Sequence, residues 1–203
     1  MSTKETPATA PLSLRERKKL RTREAIRREA YRLFAEQGYE QTTIDQIAEA
    51  AEVSPSTFFR YYPTKEDVVI VDDYDSALGD ALRARPAGEP IMASIRGALA
   101  DSLGRIIDAD RDELLLRTRL SFNDPAIRAR SWDEQQRSQD ALAAVIVERT
   151  GRAPDDIEVH CAAAAIIAVS AAVVRHWVER DGAPDLVGLY DPAFRMLAEG
   201  LRF

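Results

Sequence analysis

The sequence contains few of the residues that metal sites and disulfide bonds require. Cys161 is its one cysteine, and His160 and His176 are its two histidines. A single cysteine excludes a disulfide within the chain and a cysteine-rich metal site. The two histidines lie sixteen residues apart on one predicted helix, which is too far to bind the same metal ion. We therefore expect a chain that carries no metal and no cofactor.

The signatures of export, membrane insertion and catalysis are also missing. Residues 1–11 have no apolar run of the kind found in export signals. The longest apolar stretch, 161–174, is shorter than the roughly 20 residues that cross a bilayer, so it predicts a buried helix of a soluble protein. No G-x-S-x-G, P-loop or H-E-x-x-H run is present. These absences predict a cytoplasmic protein that is not an enzyme.

The acidic net charge of the chain, -6, hides a difference between its two parts. Residues 1–65 contain 12 Lys and Arg against 9 Asp and Glu, whereas the remainder contains 16 against 25. A basic cluster suits contact with phosphates, but charge alone is explained equally well by a solvated helix face. The basic residues are concentrated at Arg15, Arg17, Lys18, Lys19, Arg21, Arg23, Arg27 and Arg28.

The first part of the chain predicts one long helix and then a short one. The long helix is expected over 14–37, with Gly38 as a terminating residue. Its apolar residues at helical spacing are Ile26, Ala30, Leu33 and Phe34. Thr43 begins the second helix, because a threonine followed three residues later by Gln46 forms a capping box. This second helix is only about two turns long.

A tight turn at Glu52 leads into a third helix that ends at Tyr61. Ser54 is a good N-cap, and Pro55 occupies the first helical position, where proline is favoured. The second and third helices with their short turn predict a helix-turn-helix over 43–62.

The rest of the chain is predicted to form further helices, which are separated by Pro and Gly residues. Thr64 and Asp67 cap the next one, whose apolar side carries Val71, Tyr74 and Leu78. No segment alternates with a period of two, so we predict an all-α chain. The remaining helices are expected over 64–81, 91–106, 114–120, 125–150, 154–180 and 192–201.

The third helix has a face that favours DNA. Phe58 and Tyr62 are four residues apart and are expected to pack inward, which leaves Ser56, Phe59 and Arg60 outward. In a major groove, a ring can touch a thymine methyl group and an arginine can read guanine. An ordinary α-hairpin within a helical bundle remains the alternative at this point.

The run T-T-I-D-Q-I-A-E-A-A-E-V-S-P-S-T-F-F-R-Y-Y-P-T-K-E-D at 42–67 resembles the N-terminal domain of the tetracycline-repressor (TetR) family. The resemblance covers about 21–69. It implies a dimeric regulator of transcription, expected to be a repressor that a small-molecule ligand releases from its operator; a ligand-independent or activating DNA-binding regulator is the alternative. The implied organisation is a flexible arm at 1–14, a DNA-binding domain at 15–65 and a helical ligand-binding and dimerisation domain at 66–203. Its partners would be operator DNA, a second copy of the chain and a small-molecule effector.

The resemblance also assigns contacts within the DNA-binding domain. Contacts with phosphates position such a protein, and contacts with base edges give it specificity. Phe59 stands where the family often has tyrosine, so a hydroxyl contact is replaced by an apolar one. Glu52 stands where the family commonly has glycine, which implies that the turn holds this side chain in a left-handed backbone conformation. The implied phosphate contacts are Thr43, Thr57, Tyr61 and Lys65, and the residues at or near base-facing positions are Ser54, Pro55, Ser56, Phe59 and Arg60.

Two roles are expected in the C-terminal helices. Small residues allow two helices to approach closely, so 154–180 and the last helix are expected to form a four-helix bundle with a second copy; packing within one chain is the alternative. The long middle helices permit a cavity for a ligand. The run F-F-R-Y-Y-P-T-K-E-D resembles a TetR subgroup that is often associated with acyl-thioester-like or other apolar ligands, and this resemblance implies such an effector. The expected dimer residues are Ala164, Ala168, Ala172, Trp177, Phe194 and Leu197, and the candidate cavity residues are Leu99, Leu103, Leu115, Arg119, Phe122, Trp132 and Val169.

Overall fold

The computed structural model describes residues 13–70 and 74–200, apart from the side chains of 74–77 and Ala109. All regular secondary structure in these residues is α-helical, so the all-α prediction is confirmed. The predicted arm as far as residue 12, the side chains of Val71 and Tyr74, and Leu201 lie outside the described residues. The helices are α1 (Leu14–Gln37), α2 (Ile44–Ala50), α3 (Pro55–Tyr61), α4 (Lys65–Ile70), α5 (Tyr74–Ala84), α6 (Ile91–Asn123), α7 (Pro125–Thr150), α8 (Ile157–Val178) and α9 (Leu186–Glu199).

The chain forms two compact units, which divide between Lys65 and Glu66. In the N-terminal unit, α1 begins at a capping box in which Ser13 accepts from the backbone N–H of Glu16. The apolar face of its second half is buried and contributes Ile26, Ala30 and Phe34 to a core. The core of this unit is completed by Tyr31, Tyr39, Ile47, Ala48, Phe58 and Tyr62.

The C-terminal unit differs from the predicted layout at several helix boundaries. The two helices expected over 91–106 and 114–120 are present but longer, and they meet at Asp110, whose backbone leaves helical geometry while its carboxylate accepts from the N–H of Glu113. Helix α8 begins at Ile157 rather than near residue 154, because Asp156 supplies the cap. Local capping chemistry therefore decides both boundaries.

The predicted start of the last helix at Pro192 is wrong. Helix α9 begins six residues earlier, where Asp185 accepts from the N–H of Val187 at 3.1 Å, and Pro192 lies inside it. An internal proline loses one backbone hydrogen bond. The helix continues through it because Tyr190 and Phe194, on either side, are both buried, with ring centroids 5.4 Å apart.

An arginine at the end of α7 fastens the segment between α5 and α6. Arg149 donates to the carbonyls of Leu82 and Arg85 at 3.0 Å each and to that of Pro86 at 2.9 Å. It also donates to Ser94 Oγ at 2.8 Å. These bonds satisfy carbonyls at the C-terminal end of a helix, which have no partner within the helix itself.

Glu89 joins the same network and makes it sensitive to acid. Two bonds from Arg85 and one from Ser94, at 2.6 to 2.9 Å, favour the ionised carboxylate and lower the pKa of Glu89 from 4.5 to about 2. A lowered folded-state pKa contributes stability that is present above the unfolded-state value and is lost as the pH falls through the folded-state value.

We therefore expect the free energy of unfolding to fall between about pH 4.5 and pH 2, in part because Glu89 becomes protonated. Glu89→Gln is expected to lower stability at neutral pH and to show a shallower loss over that window. Urea unfolding at a series of pH values measures both effects. The exposed Glu199→Gln is the control, and parallel pH curves for wild type and Glu89→Gln would refute the assignment.

Helix α8 is apolar over nearly its whole length. By length and composition it is the one helix in the described residues that could cross a membrane, although a helix in a soluble protein passes the same test. Only 22% of its most apolar window is buried within the chain. The expectation of a buried helix is therefore met on one face only, by Val159, Ala163, Ile166, Val173 and Trp177.

Candidate DNA interface and effector cavity

Hydrogen-bonded caps place α2 and α3 as the sequence predicts. Thr43 Oγ1 accepts from the N–H of Gln46 at 3.2 Å, and the Gln46 carbonyl oxygen accepts from the N–H of Thr43 at 2.9 Å. Ser54 Oγ accepts from the N–H of Thr57 at 3.1 Å. Caps of this kind fix both helix starts, so the predicted helix-turn-helix is confirmed in this unit.

Helix α3 turns one face inward and one outward. Phe58 and Tyr62 are completely buried, whereas Phe59 is 50% exposed and Arg60 is also exposed. The Phe59 ring meets the edge of the Phe58 ring with centroids 5.8 Å apart, and the Arg60 guanidinium lies 5.3 Å from the centroid of the Tyr61 ring. An exposed phenylalanine beside an arginine is a surface that water solvates poorly and a major groove accepts.

The other predicted contact residues of α2 and α3 are reachable, but several already hold local bonds. Ser54 Oγ lies 2.9 Å from Ser56 Oγ and 3.0 Å from Thr57 Oγ1, so three hydroxyls form one cluster. Hydroxyl oxygens both donate and accept, which lets such a cluster reorient towards a phosphate. The exposed residues of this set are Thr43, Ser54, Pro55 and Ser56, and the half-buried ones are Thr57 and Tyr61.

Lys65 has a structural contact that its sequence position does not reveal. Its ammonium group donates to the carbonyls of Tyr39 at 2.8 Å and Thr42 at 3.1 Å, and it lies 4.1 Å from the centroid of the Tyr39 ring. These bonds fasten the loop that precedes Thr43. An ammonium group has three donors, so one N–H remains for a phosphate.

Glu52 adopts the left-handed backbone that the family resemblance implies, with φ of 54°. This conformation costs an L-residue roughly 1 to 2 kcal/mol relative to the right-handed one, and it costs glycine almost nothing. The turn between α2 and α3 is therefore strained in this chain. The strain is compensated by the caps of the two helices that it joins.

We expect Glu52→Gly to raise the free energy of unfolding by about 1 kcal/mol, since the relieved strain exceeds the added entropy of the unfolded chain. Glu52→Gln removes the charge but keeps the strained backbone, so it separates the two effects. Urea unfolding of the full chain measures both variants. Equal stabilisation by glycine and glutamine would show that charge, rather than backbone strain, is responsible.

Two adjoining cavities lie among the helices of the C-terminal unit. The first cavity has a volume of about 340 Å³ and lies between α5, α6, α7 and α8, with Leu78, Leu99 and Leu142 among its walls. The second, of about 320 Å³, lies between α4, α6, α7 and α8, and includes Ile70 and Phe122. Ser138, Ile167 and Ser170 line both cavities.

The hydroxyl groups of the cavities have a common orientation. Ser138 Oγ donates to the Glu134 carbonyl at 3.1 Å, and Ser170 Oγ donates to the Ile166 carbonyl at 2.8 Å. Each hydroxyl hydrogen is thereby directed to a carbonyl of its own helix. The same pattern holds for Ser121, which donates to Arg117, and for Ser131, which donates to Ile127.

Only two of the seven candidate cavity residues line these two cavities. Leu99 lines the first cavity and Phe122 the second. Trp132 is 66% exposed, and Arg119 pairs with Asp181 at 2.7 Å, so neither forms a wall of either cavity. Leu103, Leu115 and Val169 are partly buried against the hydrophobic core and line neither cavity.

An ion pair that the sequence does not predict lies beside the second cavity. The Asp67 carboxylate on α4 is 5% exposed and accepts from Arg130 on α7 at 2.7 Å. A buried carboxylate needs such a partner, because losing it leaves an uncompensated charge. The two residues are 63 positions apart, so no local pattern could have found the pair.

The predicted dimer residues separate into accessible and buried sets. Trp177 and Phe194 are wrong as surface anchors, since they are 1% and 0% exposed within one chain. The Trp177 indole N–H donates to the Pro184 carbonyl at 3.0 Å, which anchors the loop between α8 and α9. The accessible set consists of Ala168 and Ala172, which are exposed, and Ala164 and Leu197, which are half-buried.

The titratable side chains give no sign of a metal centre. Among the side chains that the structure describes, no three His, Cys, Asp or Glu are grouped so that they could hold a metal ion. The fold and the exposed face of α3 together define an all-α helix-turn-helix protein that binds DNA.

Comparison with known proteins identifies the family. The model of bacterial regulatory proteins of the tetR family matches residues 26–70, and the model of the MftR C-terminal domain matches 89–202. The transcriptional regulator TcmR of Streptomyces glaucescens is 38% identical over 187 residues, which cover 88% of this chain and 82% of that protein. The chain therefore belongs to the TetR family.

Solved structures agree with this assignment. FadR of Thermus thermophilus, a TetR family repressor in complex with lauroyl-CoA, is 25% identical with a TM-score of 0.59, covering 89% of this chain and 95% of that one. FadR of Bacillus subtilis, in complex with stearoyl-CoA, shares the fold at 20% identity and a TM-score of 0.61, with coverage of 88% and 99%. The chain is thus a DNA-binding transcriptional regulator that acts as a homodimer and responds to a small-molecule effector.

Proposed function

We propose that this regulator is a cytoplasmic repressor without catalytic activity that leaves its operator when an apolar molecule enters the two cavities of its C-terminal unit. The observation that carries the proposal is the pair of adjoining cavities that share Ser138, Ile167 and Ser170. A ligand that binds the released state more tightly than the DNA-bound state lowers operator affinity by that difference.

The proposed operator contacts divide into positioning and reading groups. Thr43, Thr57, Tyr61 and the remaining N–H of Lys65 would hold phosphates. Phe59 and Arg60, with Ser54, Pro55 and Ser56 around them, would meet base edges. The support for the reading group is the outward exposure of Phe59 and Arg60 on a helix whose opposite face is buried.

In the proposed dimer, a second copy of the chain covers the exposed face of α8. Ala168 and Ala172 lie four residues apart on that face, and small residues at this spacing let two helices approach closely. Leu197 on α9 is accessible beside them in the same proposal. A dimer is needed because two reading heads, about one DNA turn apart, double the contacts that one helix-turn-helix can make.

The cavity walls favour an uncharged effector that donates hydrogen bonds. The first cavity is mostly apolar, and its one arginine, Arg83, is already paired with Glu148 at 2.9 Å and Asp80 at 3.5 Å. The hydroxyls of Ser138 and Ser170 donate to backbone carbonyls, so towards an effector these oxygens can act only as acceptors. An apolar molecule carrying hydroxyl groups meets these requirements. The acyl-thioester alternative draws support from the lauroyl-CoA complex of Thermus thermophilus FadR.

Footprinting first identifies the DNA upstream of the protein's own coding sequence that the protein protects. The experiment then measures release of the protein from this DNA. Dodecan-1-ol, its methyl ether and lauroyl-CoA serve as probes with a common apolar chain. We expect the alcohol to release DNA at lower concentration than the ether, which has no donor. Superior release by lauroyl-CoA would favour the acyl-thioester alternative.

Ile167→Trp serves as the cavity variant, because this residue lines both cavities and a larger ring would fill them. We expect it to bind operator normally and to ignore the probes. Trp132→Phe is the matched control, since Trp132 is exposed and lines neither cavity. Failure of wild type to protect any DNA at low salt would overturn the proposed repressor.

A further inference from the structure

The first half of α1 lies outside the packed core of its unit. Every residue from Ser13 to Arg21 is exposed, including Leu14 at 80%. The capping box at Ser13 holds the helix start, yet these residues contribute no buried side chain to the core of their unit. The tetR family model also begins only at residue 26. This half of the helix is therefore free to serve another purpose.

One face of α1 changes character along its length. Residues four apart on a helix lie on the same face, and Ile26 and Ala30 form the buried part of this face in the second half. In the first half, the same face continues through Thr22 to Lys18 and Lys19. A helix end that packs against protein has an apolar face, whereas this one carries Lys18 and Lys19 on the corresponding face.

The cationic face forms one wall of a groove whose other wall is the DNA-reading helix. We call it the α1–α3 groove; its volume is about 890 Å³. Four cations and one carboxylate, Glu52, line it, so it carries a net positive charge. Its lining from α1 is Arg15, Lys18, Lys19 and Thr22, and from the turn and α3 it is Glu52, Val53, Ser54, Thr57, Arg60 and Tyr61.

Three of the lysines and arginines of the groove have no competing partner. Among the described residues, Arg15, Lys18 and Lys19 form no ion pair, in contrast to Arg32, which pairs with Glu29 and Glu36. Thr57 and Tyr61, two of the proposed phosphate contacts, line the same groove and carry hydroxyl groups. Free cations opposite hydroxyl groups are the chemistry that binds phosphate oxygens.

We propose that the α1–α3 groove holds the sugar-phosphate backbone of operator DNA next to the major groove that α3 enters, so that Lys18 and Lys19 extend the phosphate contacts beyond the helix-turn-helix. This proposal rests on the DNA binding proposed above. The basic cluster of α1 thereby acquires a specific role, since one face grips the backbone while Arg17 and Arg21 on the opposite face remain solvated.

The test compares two double variants that remove equal charge from the same helix. Lys18→Gln with Lys19→Gln changes the groove face, and Arg17→Gln with Arg21→Gln changes the opposite face. All four residues are exposed, so both proteins are expected to fold, which thermal unfolding checks. Operator affinity is measured at salt concentrations from about 50 to about 300 mM, a range in which phosphate contacts dominate the salt dependence.

Each phosphate contact contributes about 0.9 to the slope of log K against log salt concentration. With two contacts in each of two protomers, the groove variant is expected to flatten that slope by up to about 3.6, and the opposite-face variant by less than half as much. Hydroxyl-radical footprints are expected to lose protection only at the outer edges for the groove variant.

The outcomes separate this inference from the function on which it rests. Equal slopes and equal footprints for the two double variants, with wild type still bound specifically, would overturn the groove assignment alone. Absence of any operator complex with wild type would overturn the DNA-binding proposal itself.

Discussion

Replacing Arg60 by alanine is expected to weaken operator binding by about 1 to 3 kcal/mol per half-site and to relax the sequence preference at one base pair of each. The guanidinium is exposed on α3, and the Tyr61 ring beneath it, at 5.3 Å, limits its freedom before DNA arrives. A pre-positioned side chain loses less entropy on binding. Affinity measured against operators with every base at each position tests this expectation.

Arg32→Ala is the matched control for Arg60→Ala. It removes the same charge from the same unit, but Arg32 is paired with Glu29 and Glu36 on α1. We expect the control to bind with nearly wild-type affinity and unchanged base preference. If the two variants bind the operator library alike, Arg60 has no reading role, and the specificity must come from other residues of α3.

Trp177→Ala is expected to lower the free energy of unfolding by about 3 to 5 kcal/mol, the usual cost of removing a large buried aromatic side chain. Trp177 is 1% exposed, and its indole N–H holds the Pro184 carbonyl at 3.0 Å. The substitution removes both the packing and that bond, leaving the carbonyl without this donor. Chemical unfolding, monitored by circular dichroism at several protein concentrations, measures the loss.

Trp177→Phe separates the two contributions, since it keeps much of the ring packing and removes only the N–H donor. We expect it to cost about 1 to 3 kcal/mol, the range for a buried polar group left without its partner. Sedimentation of the folded variants then distinguishes core from interface. A Trp177→Ala protein with wild-type unfolding but a much weaker dimer would contradict the core role and restore the surface anchor predicted from sequence.

The contrast between Trp177 and Ala172 explains why the dimer face was only partly predicted. Both lie on α8, and the sequence shows that this helix is apolar, but nearly every position of it is apolar. Hydrophobic periodicity identifies a buried face only when the other face is polar. The sequence therefore predicted that α8 would be covered, without deciding which residues face its own chain and which face a partner.

The cavity residues were predicted less well than the DNA-binding face for a related reason. Ser138 and Ser170 look like ordinary helical serines, and only packing α7 against α8 places them on the same walls. The sequence made Arg119 a candidate for binding a buried anion in the cavity, but Arg119 pairs with Asp181 at the surface. Contacts between residues far apart in the chain leave no local pattern to recognise.

The amino-acid sequence by itself determined the α1 to α3 architecture and its outward residues. Thr43 with Gln46 and Ser54 with Pro55 act over three or four residues, so local hydrogen bonds and backbone preferences suffice to specify the helix starts. Tertiary structure alone decided that Trp177 is core, that Asp67 pairs with Arg130, and which helices enclose the cavities. Those outcomes depend on which distant side chains compete for the same buried space, and only the packed chain resolves that competition.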